Sequence, residues 1–391
     1  MKVLMTATSL DAAYGGPAFS VSQLASALGG VGVDVGVWSA DGSVVDTDLL
    51  EPGARVKRLG GELRGAAAAF APEVVHDNGL WLPHNHQVAG LAQAAGWPRV
   101  VSTRGMLEPW AVRHKRWKKA AAWRFYQHRD VERADALHAT AEAEAANLAA
   151  MRLRAPVHTI PNGVDLPELS ADRRAGDAGP MTAVFLGRIY PVKGLPVLVE
   201  AWARVRPAGW RLVIAGPDEA GHRREVEAAI AAAGLGEVVS FPGPVAGEAK
   251  AALLQGADLF VLPSHSESFG MALAEALAHG APVLTTTAVP WPALEARQCG
   301  WRAPPTVEGL AEGLRVATAR DRQTLRAMGR AGRELIAAEY GWPRIASAFV
   351  ALYEGLARNR RAGSPRGRLE AASPRNAAGV TPAGPRQRSR S

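Results

Sequence analysis

Two glutamates, Glu267 and Glu275, stand on either side of the predicted start of a helix. The short apolar run at 257–262 predicts a buried parallel strand before them, and the strong helix formers at 271–278 predict the helix itself. Free N–H groups and the positive dipole end at such a helix start favour a bound anion. The segment is therefore predicted to hold a diphosphate there, with both carboxylates free to accept hydrogen bonds from sugar hydroxyls.

The stretch from Ser264 to His279, with Ser-Phe-Gly directly after the first glutamate, resembles the carboxylate signature of retaining glycosyltransferases of family GT4, which have the GT-B fold. The resemblance implies that Glu267 contacts the donor sugar and that Glu275 binds the ribose of the nucleotide. It also implies that the turn between them faces the diphosphate, and its residues are Ser268, Phe269, Gly270 and Met271. An ordinary helix with a polar entry loop is the alternative interpretation of this spacing.

Two cations, Arg188 and Lys193, lie in the loop Gly187-Arg-Ile-Tyr-Pro-Val-Lys-Gly194 after a predicted strand at 182–186. Two positive groups on a glycine-bounded loop can neutralise the charge that develops on a departing nucleoside diphosphate without a metal ion. The pair matches the paired Arg and Lys of GT4 carboxyl-terminal domains, so the resemblance assigns both residues to the diphosphate. An exposed basic turn is the alternative.

The amino terminus predicts a strand at 2–8, a glycine-containing loop at 11–17 and a helix at 18–28. Doubly wound folds bind ligands in the turn after the first strand, where glycine permits a tight backbone path. Similarity to the glycine loop of the GT4 amino-terminal domain assigns Gly16 to the diphosphate site. A plain strand-to-helix turn would also explain the two glycines.

Two further loops, at 76–81 and 103–108, each follow a predicted strand. Right-handed crossovers bring the carboxyl ends of parallel strands to one edge of the sheet, so both loops are predicted to line the same cleft. They resemble acceptor-binding loops, and loop capping is the alternative. Their polar candidates are His76, Asn78, Arg104 and Glu108.

Arg104 stands where many GT4 enzymes carry a histidine that contacts the donor sugar, so that contact cannot be assigned here. Its Arg-Gly-Met-Leu segment resembles a GT4 subgroup that works on bacterial exopolysaccharides. A bound phosphate, an acidic acceptor and a structural salt bridge are the roles open to this arginine.

The segment 110–129 combines clustered bases with aromatic residues. As a helix it could lie on an anionic membrane, with lysines and arginines at lipid phosphates and Trp117, Trp123, Phe125 and Tyr126 at the headgroup boundary. Packing of the aromatics into the core is the equally weighted alternative. Nucleic-acid binding is the least favoured interpretation.

Composition narrows the class of protein further. The 391 residues carry a net charge of +8, and the segment 358–391 contains nine arginines and one glutamate, so the rest of the chain is neutral. This tail is predicted to be disordered because it has few large apolar residues. The single cysteine excludes an internal disulfide. No signal peptide or spanning run is recognised, which predicts a cytoplasmic protein. The membrane interpretation of segment 110–129 would add peripheral contact at the inner membrane face.

These patterns predict an α/β protein of GT-B type, with two doubly wound Rossmann-like domains facing a central cleft. The predicted boundaries are 1–165 for an acceptor-side domain, 166–180 for a linker and 181–340 for a nucleotide-sugar-binding domain, with a helix at 341–357 crossing back. P-loop, nucleophile-elbow and zinc-ligand motifs are absent from the sequence. Asp46-Thr-Asp48 is too short a match to predict a metal site.

The predicted activity is metal-independent transfer of a sugar from a nucleoside diphosphate to an acceptor hydroxyl, with no cofactor and with a glycan or lipid-linked acceptor. Retention of anomeric configuration follows from the family resemblance alone. A sugar-nucleotide epimerase or hydrolase on the same fold would process the donor without an acceptor. A non-catalytic polyanion-binding adaptor would not need the four charged residues Arg188, Lys193, Glu267 and Glu275. Neither the nucleotide base nor the sugar follows from the fold.

Overall fold

The computed structural model describes residues 1–11, 16–113, 116–169 and 179–362. Two parallel sheets, of seven and six strands, organise these residues. We call the first sheet and the helices packed on it the N-terminal unit, and the second sheet with its helices the C-terminal unit. The predicted α/β architecture with two doubly wound sheets is confirmed.

The first sheet has the strand order β3-β2-β1-β4-β5-β6-β7. Its strands are β1 Lys2–Ala7, β2 Asp34–Ser39, β3 Val56–Leu59, β4 Val74–Asn78, β5 Arg99–Ser102, β6 Ala136–Ala139 and β7 Val157–Thr159. The helices between them are α1 Gly16–Gly30, α2 Leu63–Phe70, α3 Pro83–Ala95, α4 Pro109–Arg113, α5 Arg116–Ala122, α6 His128–Glu132 and α7 Glu142–Ala150, and a π-helical turn, Trp123–Gln127, joins α5 to α6.

The second sheet has the order β10-β9-β8-β11-β12-β13. Its strands are β8 Met181–Leu186, β9 Trp210–Ala215, β10 Val239–Gly243, β11 Leu259–Leu262, β12 Val283–Thr286 and β13 Gly300–Ala303. The helices are α8 Leu195–Val205, α9 Arg223–Ala232, α10 Gly247–Gln255, α11 Met271–Ala278, α12 Ala293–Ala296, α13 Val307–Thr318, α14 Arg322–Glu339 and α15 Trp342–Arg361.

The central strands of both sheets are largely buried because helices cover both faces. All four residues of β11 and of β12 are buried. In each sheet the chain first adds strands on one side of its first strand and then continues on the other side. This change of direction falls between β1 and β4 in the first sheet and between β8 and β11 in the second. Ligands of doubly wound sheets bind at the carboxyl ends of the strands beside such a reversal.

Helix α15 returns to the N-terminal unit and packs against α1 and β4. Ile345 and Phe349 of this helix belong to the same core cluster as Val3 and Met5. Gly163 leaves room for its first turn, since a Cβ there would lie 2.2 Å from the Trp342 ring.

The predicted end of this helix at residue 357 is wrong, because the helix runs on to Arg361. Arg361 pairs with Glu73 at 2.5 Å and Arg358 with Glu354 at 3.4 Å, so the first arginines of the predicted tail belong to the helix. Residues 363–391 of the tail and 170–178 of the predicted linker lie outside the described residues.

Candidate active site

The two loops at the strand reversal of the second sheet lie against each other. Lys193, after β8, donates from Nζ to Glu267 Oε1 over 2.6 Å, and the Ser264 hydroxyl donates to the same oxygen over 2.7 Å. The side chains of Lys193 and Glu267 are 17% and 13% exposed. The structure therefore brings together two of the three residues that the sequence predicts to be catalytic.

Close backbone contact makes this arrangement possible. Gly194 has a φ of +66°, and a Cβ on it would lie 2.3 Å from the Pro263 carbonyl oxygen. The His265 N–H donates to the Val192 carbonyl over 2.8 Å. Glycine is required at 194 because any side chain would separate the Lys193 loop from the Glu267 loop.

The turn after Glu267 is held rigidly at the start of α11, which begins at Met271 as predicted. Phe269 is buried, and the Trp291 indole N–H donates to its carbonyl oxygen over 2.5 Å. Gly270, with a φ of +90°, is the residue before the helix. The free N–H groups of the first turn of α11 are thus presented at the same loop as Glu267, which suits a bound anion.

Ser268 connects this loop to the N-terminal unit. The Thr140 hydroxyl donates to the Ser268 carbonyl oxygen over 2.9 Å, and a Cβ on Gly105 would lie 2.9 Å from Ser268 Cβ. The loop between Glu267 and Met271 therefore lies at the junction of the two units, where a donor and an acceptor could meet.

Glu275 lies one turn into α11 and is paired with Lys250 of α10, whose Nζ donates to Oε1 over 2.7 Å. The same Nζ lies 5.3 Å from the centre of the Phe19 ring on α1. Lys250 thus bridges the two units beside the predicted ribose carboxylate. Lys250 is not among the predicted site residues, because a lone lysine on a short helix carries no local signal.

Arg188 is not in this cluster. Its guanidinium pairs with Glu219 and lies 5.8 Å from the Tyr190 ring centre, and its side chain is 47% exposed. Arg188 and Glu219 are both surface residues on loops, and an exposed ion pair contributes little to stability. Arg188 can therefore exchange Glu219 for a phosphate at little energetic cost.

The predicted acceptor-side role of His76 is contradicted. Strand β4 continues to Asn78, so His76 lies inside the sheet, and its side chain is fully buried. Polar residues such as His76 and Asp77 are typical of a loop after a strand, but here they form part of the buried strand itself. Asp77 instead forms a buried pair with Arg99 at 3.3 Å, which keeps a polar strand inside the core.

His76 belongs to a chain of hydrogen bonds that crosses the sheet. His138 Nε2 can only donate to its neighbour, the Ile160 carbonyl, over 2.7 Å. Its Nδ1 therefore accepts from Ser102 Oγ, which accepts in turn from His76 Nε2, and His76 Nδ1 accepts from Tyr353 Oη, each over 2.6 Å. Both rings are neutral in this pattern, and the chain ties α15 to β4, β5 and β6.

Burial lowers the pKa of His138 from 6.5 to about 4, and it lowers the pKa of His76 in the same direction. Between pH 6.5 and pH 4 the unfolded chain therefore binds protons that the folded chain does not, and stability must fall as the pH falls. We expect His138→Gln to reduce this slope by up to about 1.4 kcal/mol per pH unit. Urea unfolding at several pH values measures the slope.

A His138→Gln slope identical to that of the wild type would contradict a neutral buried His138.

The other candidates of the N-terminal unit do lie at the carboxyl edge of the sheet. Asn78 Oδ1 accepts from Arg104 Nη2 over 2.7 Å, and the Arg104 backbone has a φ of +47°. Glu108 accepts from Asn147 Nδ2 over 2.6 Å, and burial raises the pKa of its carboxyl. Gly16 is the first residue of α1, whereas residues 12–15 of the predicted glycine loop lie outside the described residues.

The basic and aromatic segment is only partly exposed. The side chains of Trp117 and Phe125 are 74% and 76% exposed. Trp123 instead packs on Trp81 with ring centres 6.0 Å apart, and Tyr126 Oη donates to the Trp81 carbonyl over 2.6 Å. Of the two placements that the sequence left open, packing therefore applies to Trp123 and Tyr126, and exposure at a surface applies to Trp117 and Phe125.

Within the described ranges, no group of three or more His, Cys, Asp or Glu side chains is arranged to hold a metal ion. Asp46 of the Asp-x-Asp match accepts from the Asp48 backbone N–H over 3.1 Å and caps a short 3₁₀ turn. None of the described helices is long and apolar enough to cross a membrane.

Solved structures with the same two-sheet architecture define the class of fold. Sucrose-phosphate synthase from Thermosynechococcus elongatus superposes with a TM-score of 0.75 over 91% of this chain and 99% of that chain, at 22% identity. The Anabaena protein HepE in complex with UDP and glucose superposes with a TM-score of 0.71 over 91% of this chain and 100% of that one, at 18% identity. The fold is GT-B, as predicted.

Family models then identify the chain. Residues 180–319 match the model described as "Glycosyl transferases group 1", and residues 15–163 match the model described as "Glycosyl transferase 4-like domain". The chain therefore belongs to the GT4-type glycosyltransferases, and the family resemblance is confirmed.

Curated relatives share this family. A D-inositol 3-phosphate glycosyltransferase from Actinosynnema mirum is 37% identical over 39% of this chain and 41% of its own length. A glycogen synthase from Mycobacterium tuberculosis is 29% identical over 81% of this chain and 76% of its own length. The match to the first relative thus spans less than half of that protein.

Proposed function

We propose that this glycosyltransferase moves a hexose from a nucleoside diphosphate to an acceptor hydroxyl with retention of configuration and without a metal ion. The observation that carries the proposal is the meeting of Lys193, Glu267 and the start of α11 at the junction of the two units. A cation, a carboxylate and a helix start at one loop provide the charges that a sugar diphosphate requires.

Each side chain has a distinct role in this proposal. Lys193 and Arg188 neutralise the departing diphosphate, together with the N–H groups at the starts of α11 and α1, the latter at Gly16. Glu275 accepts hydrogen bonds from the ribose, and Lys250 holds its carboxylate in place over 2.7 Å. Glu267 contacts the transferred sugar and is oriented by Ser264 and Lys193.

The acceptor enters from the N-terminal unit, past Asn78, Arg104 and Glu108. We propose a glycan or lipid-linked acceptor in cell-surface glycan or exopolysaccharide synthesis, at the cytoplasmic face of a membrane. The support is the exposed aromatic and basic surface formed by Trp117, Phe125 and the cations around them. The relatives named D-inositol 3-phosphate glycosyltransferase and glycogen synthase differ in the product that their names imply, so they do not select one acceptor for this chain.

A donor panel tests the proposal. Thermal shift and nucleotide release are measured with UDP-, GDP-, ADP- and dTDP-sugars in the presence of EDTA. One donor should raise the melting temperature, because a ligand that binds only the folded state stabilises it by mass action. Glu275→Ala and Arg188→Ala should each weaken that shift, corresponding to a loss of affinity of about tenfold.

Glu312→Ala is the matched control, since Glu312 is an exposed carboxylate on α13 with 64% of its side chain accessible. It should respond to donor as the wild type does. If no donor shifts the wild type, or if Glu275→Ala behaves like Glu312→Ala, the assignment of the donor site is wrong.

The membrane contact has a separate test. Replacing both Trp117 and Phe125 with serine should abolish cosedimentation with vesicles that contain anionic phosphatidylglycerol, because interfacial aromatics supply much of the affinity of such surfaces. Release of nucleotide from the water-soluble donor, measured without vesicles, should stay unchanged. Exchanging the packed Trp123 is no substitute, since it would disturb the contact with Trp81. Unchanged cosedimentation of the double variant would contradict the membrane contact.

A further inference from the structure

Arg104 is a cation of the N-terminal unit whose hydrogen-bond partners are neutral. Its Nε and Nη2 donate to Asn78 Oδ1 over 3.2 and 2.7 Å, and its Nη1 donates to Ser20 Oγ over 2.7 Å. In the part of the chain that the structure describes, no carboxylate lies within 4.0 Å of the guanidinium. A guanidinium has five N–H donors, so two of them are left for another partner.

The surroundings make an unpaired charge here costly. Burial lowers the pKa of Arg104 to about 10, which reflects a partly desolvated cation. Glu144 attracts it from a distance, but that carboxylate already accepts hydrogen bonds from the Thr103 hydroxyl and from the backbone N–H groups of Gly105 and Thr140. A desolvated cation whose charge is not balanced within the protein favours a ligand that brings the opposite charge.

The backbone conformation also fixes the position of Arg104. Arg104 has a φ of +47°, a left-handed conformation that non-glycine residues rarely adopt and that costs stability. The next residue, Gly105, lies against Ser268 of the C-terminal unit. The backbone at Arg104 and Gly105 is therefore held beside the loop that carries the proposed donor site.

We propose that Arg104 binds an anionic group, a phosphate or a carboxylate, and that the acceptor supplies this group. The substrate class would then be an acidic acceptor, such as a sugar phosphate, a lipid-linked sugar diphosphate or a glycan containing a uronic acid. This inference rests on the proposed function, because it assigns the donor diphosphate to Arg188 and Lys193 in the C-terminal unit. All three hydrogen bonds of Arg104 instead go to residues of the N-terminal unit.

Three variants separate a ligand-binding role from a structural one. Arg104→Gln removes the charge, and Arg104→Lys keeps it without the forked geometry. Asn78→Asp places a carboxylate where the amide oxygen now accepts two of the Arg104 hydrogen bonds. This last variant gives the guanidinium an internal counter-ion that competes with an external anion, although it loses the hydrogen bond that Asn78 Nδ2 donates to the His76 carbonyl over 3.3 Å. Urea unfolding of the variant checks that it is folded.

Calorimetry uses two kinds of probe. The nucleoside diphosphate alone reports the donor site. With that nucleotide at saturation, inorganic phosphate and D-glucuronate report the acceptor anion, and methyl glucoside is the neutral control. Arg104→Gln and Asn78→Asp should each weaken phosphate or glucuronate binding by about tenfold or more and leave the nucleotide affinity within about twofold. Arg104→Lys should keep part of the anion binding.

Other outcomes overturn the inference. Equal anion binding by the wild type and Asn78→Asp would mean that Arg104 has only a structural role, as would absence of anion binding to the nucleotide-saturated wild type. A tenfold loss of nucleotide affinity in Arg104→Gln would show that the donor diphosphate is the source of the anion. Failure of the wild type to bind any nucleoside diphosphate would instead contradict the proposed function.

Discussion

Replacing Lys193 with alanine is expected to lower kcat by about 10²–10³-fold, since removing one preorganised donor from a developing oxyanion has an effect of this size. Lys193 is a mostly buried cation, with 17% of its side chain exposed, and its Nζ lies 2.6 Å from Glu267 Oε1. Because the negative charge on the leaving diphosphate grows in the transition state, kcat should fall more than donor affinity does.

Steady-state release of nucleotide from the donor identified in the panel measures this effect. Lys57→Ala, at an exposed lysine on β3, is the control and should match the wild type. Glu267→Gln should behave like Lys193→Ala in kcat, and the double variant should lose less than the product of the two single effects, because the two residues are in contact. If kcat of Lys193→Ala stays within about fivefold of the wild-type value, this lysine does not stabilise the leaving diphosphate in the transition state.

The second large effect concerns stability. Gly216→Ala is expected to destabilise the C-terminal unit by about 3–5 kcal/mol, from strain at a positive φ together with overpacking. Gly216 has a φ of +141°, and a Cβ on it would lie 1.9 Å from the Gly187 carbonyl oxygen. The clash would separate the ends of β8 and β9 and displace the turn that carries Arg188.

Gly209→Ala provides the matched control for backbone strain alone. Gly209 directly precedes β9 and has a φ of +73°, but a Cβ there would meet nothing within 4 Å. It should cost about 1 kcal/mol. Urea unfolding, monitored by fluorescence, measures the free energy of unfolding of both variants. Equal losses of stability in Gly216→Ala and Gly209→Ala would show that the contact with Gly187 has no energetic consequence.

Comparison of particular elements shows why the sequence was informative in one half of the molecule. The segments Gly187–Gly194 and Ser264–Ala278 each contain a strand end, a glycine turn and a helix start within a few residues, so local rules predict both shape and chemistry. Strand β3, Val56–Leu59, was not predicted because it lies at the sheet edge, where two of its four side chains are exposed and no continuous apolar run is needed.

The sequence by itself determined the class of fold, the family and the two glycine-containing loops of Lys193 and Glu267, because these depend on short-range patterns of apolar, glycine and charged residues. The tertiary structure alone decided which polar residues meet. It placed His76 in a buried chain with Tyr353, which lies 277 positions away, and paired Glu275 with Lys250. It also left Arg104 with neutral partners. Such contacts depend on how separate elements pack across the sheets and the junction between the units, and no local spacing records that packing.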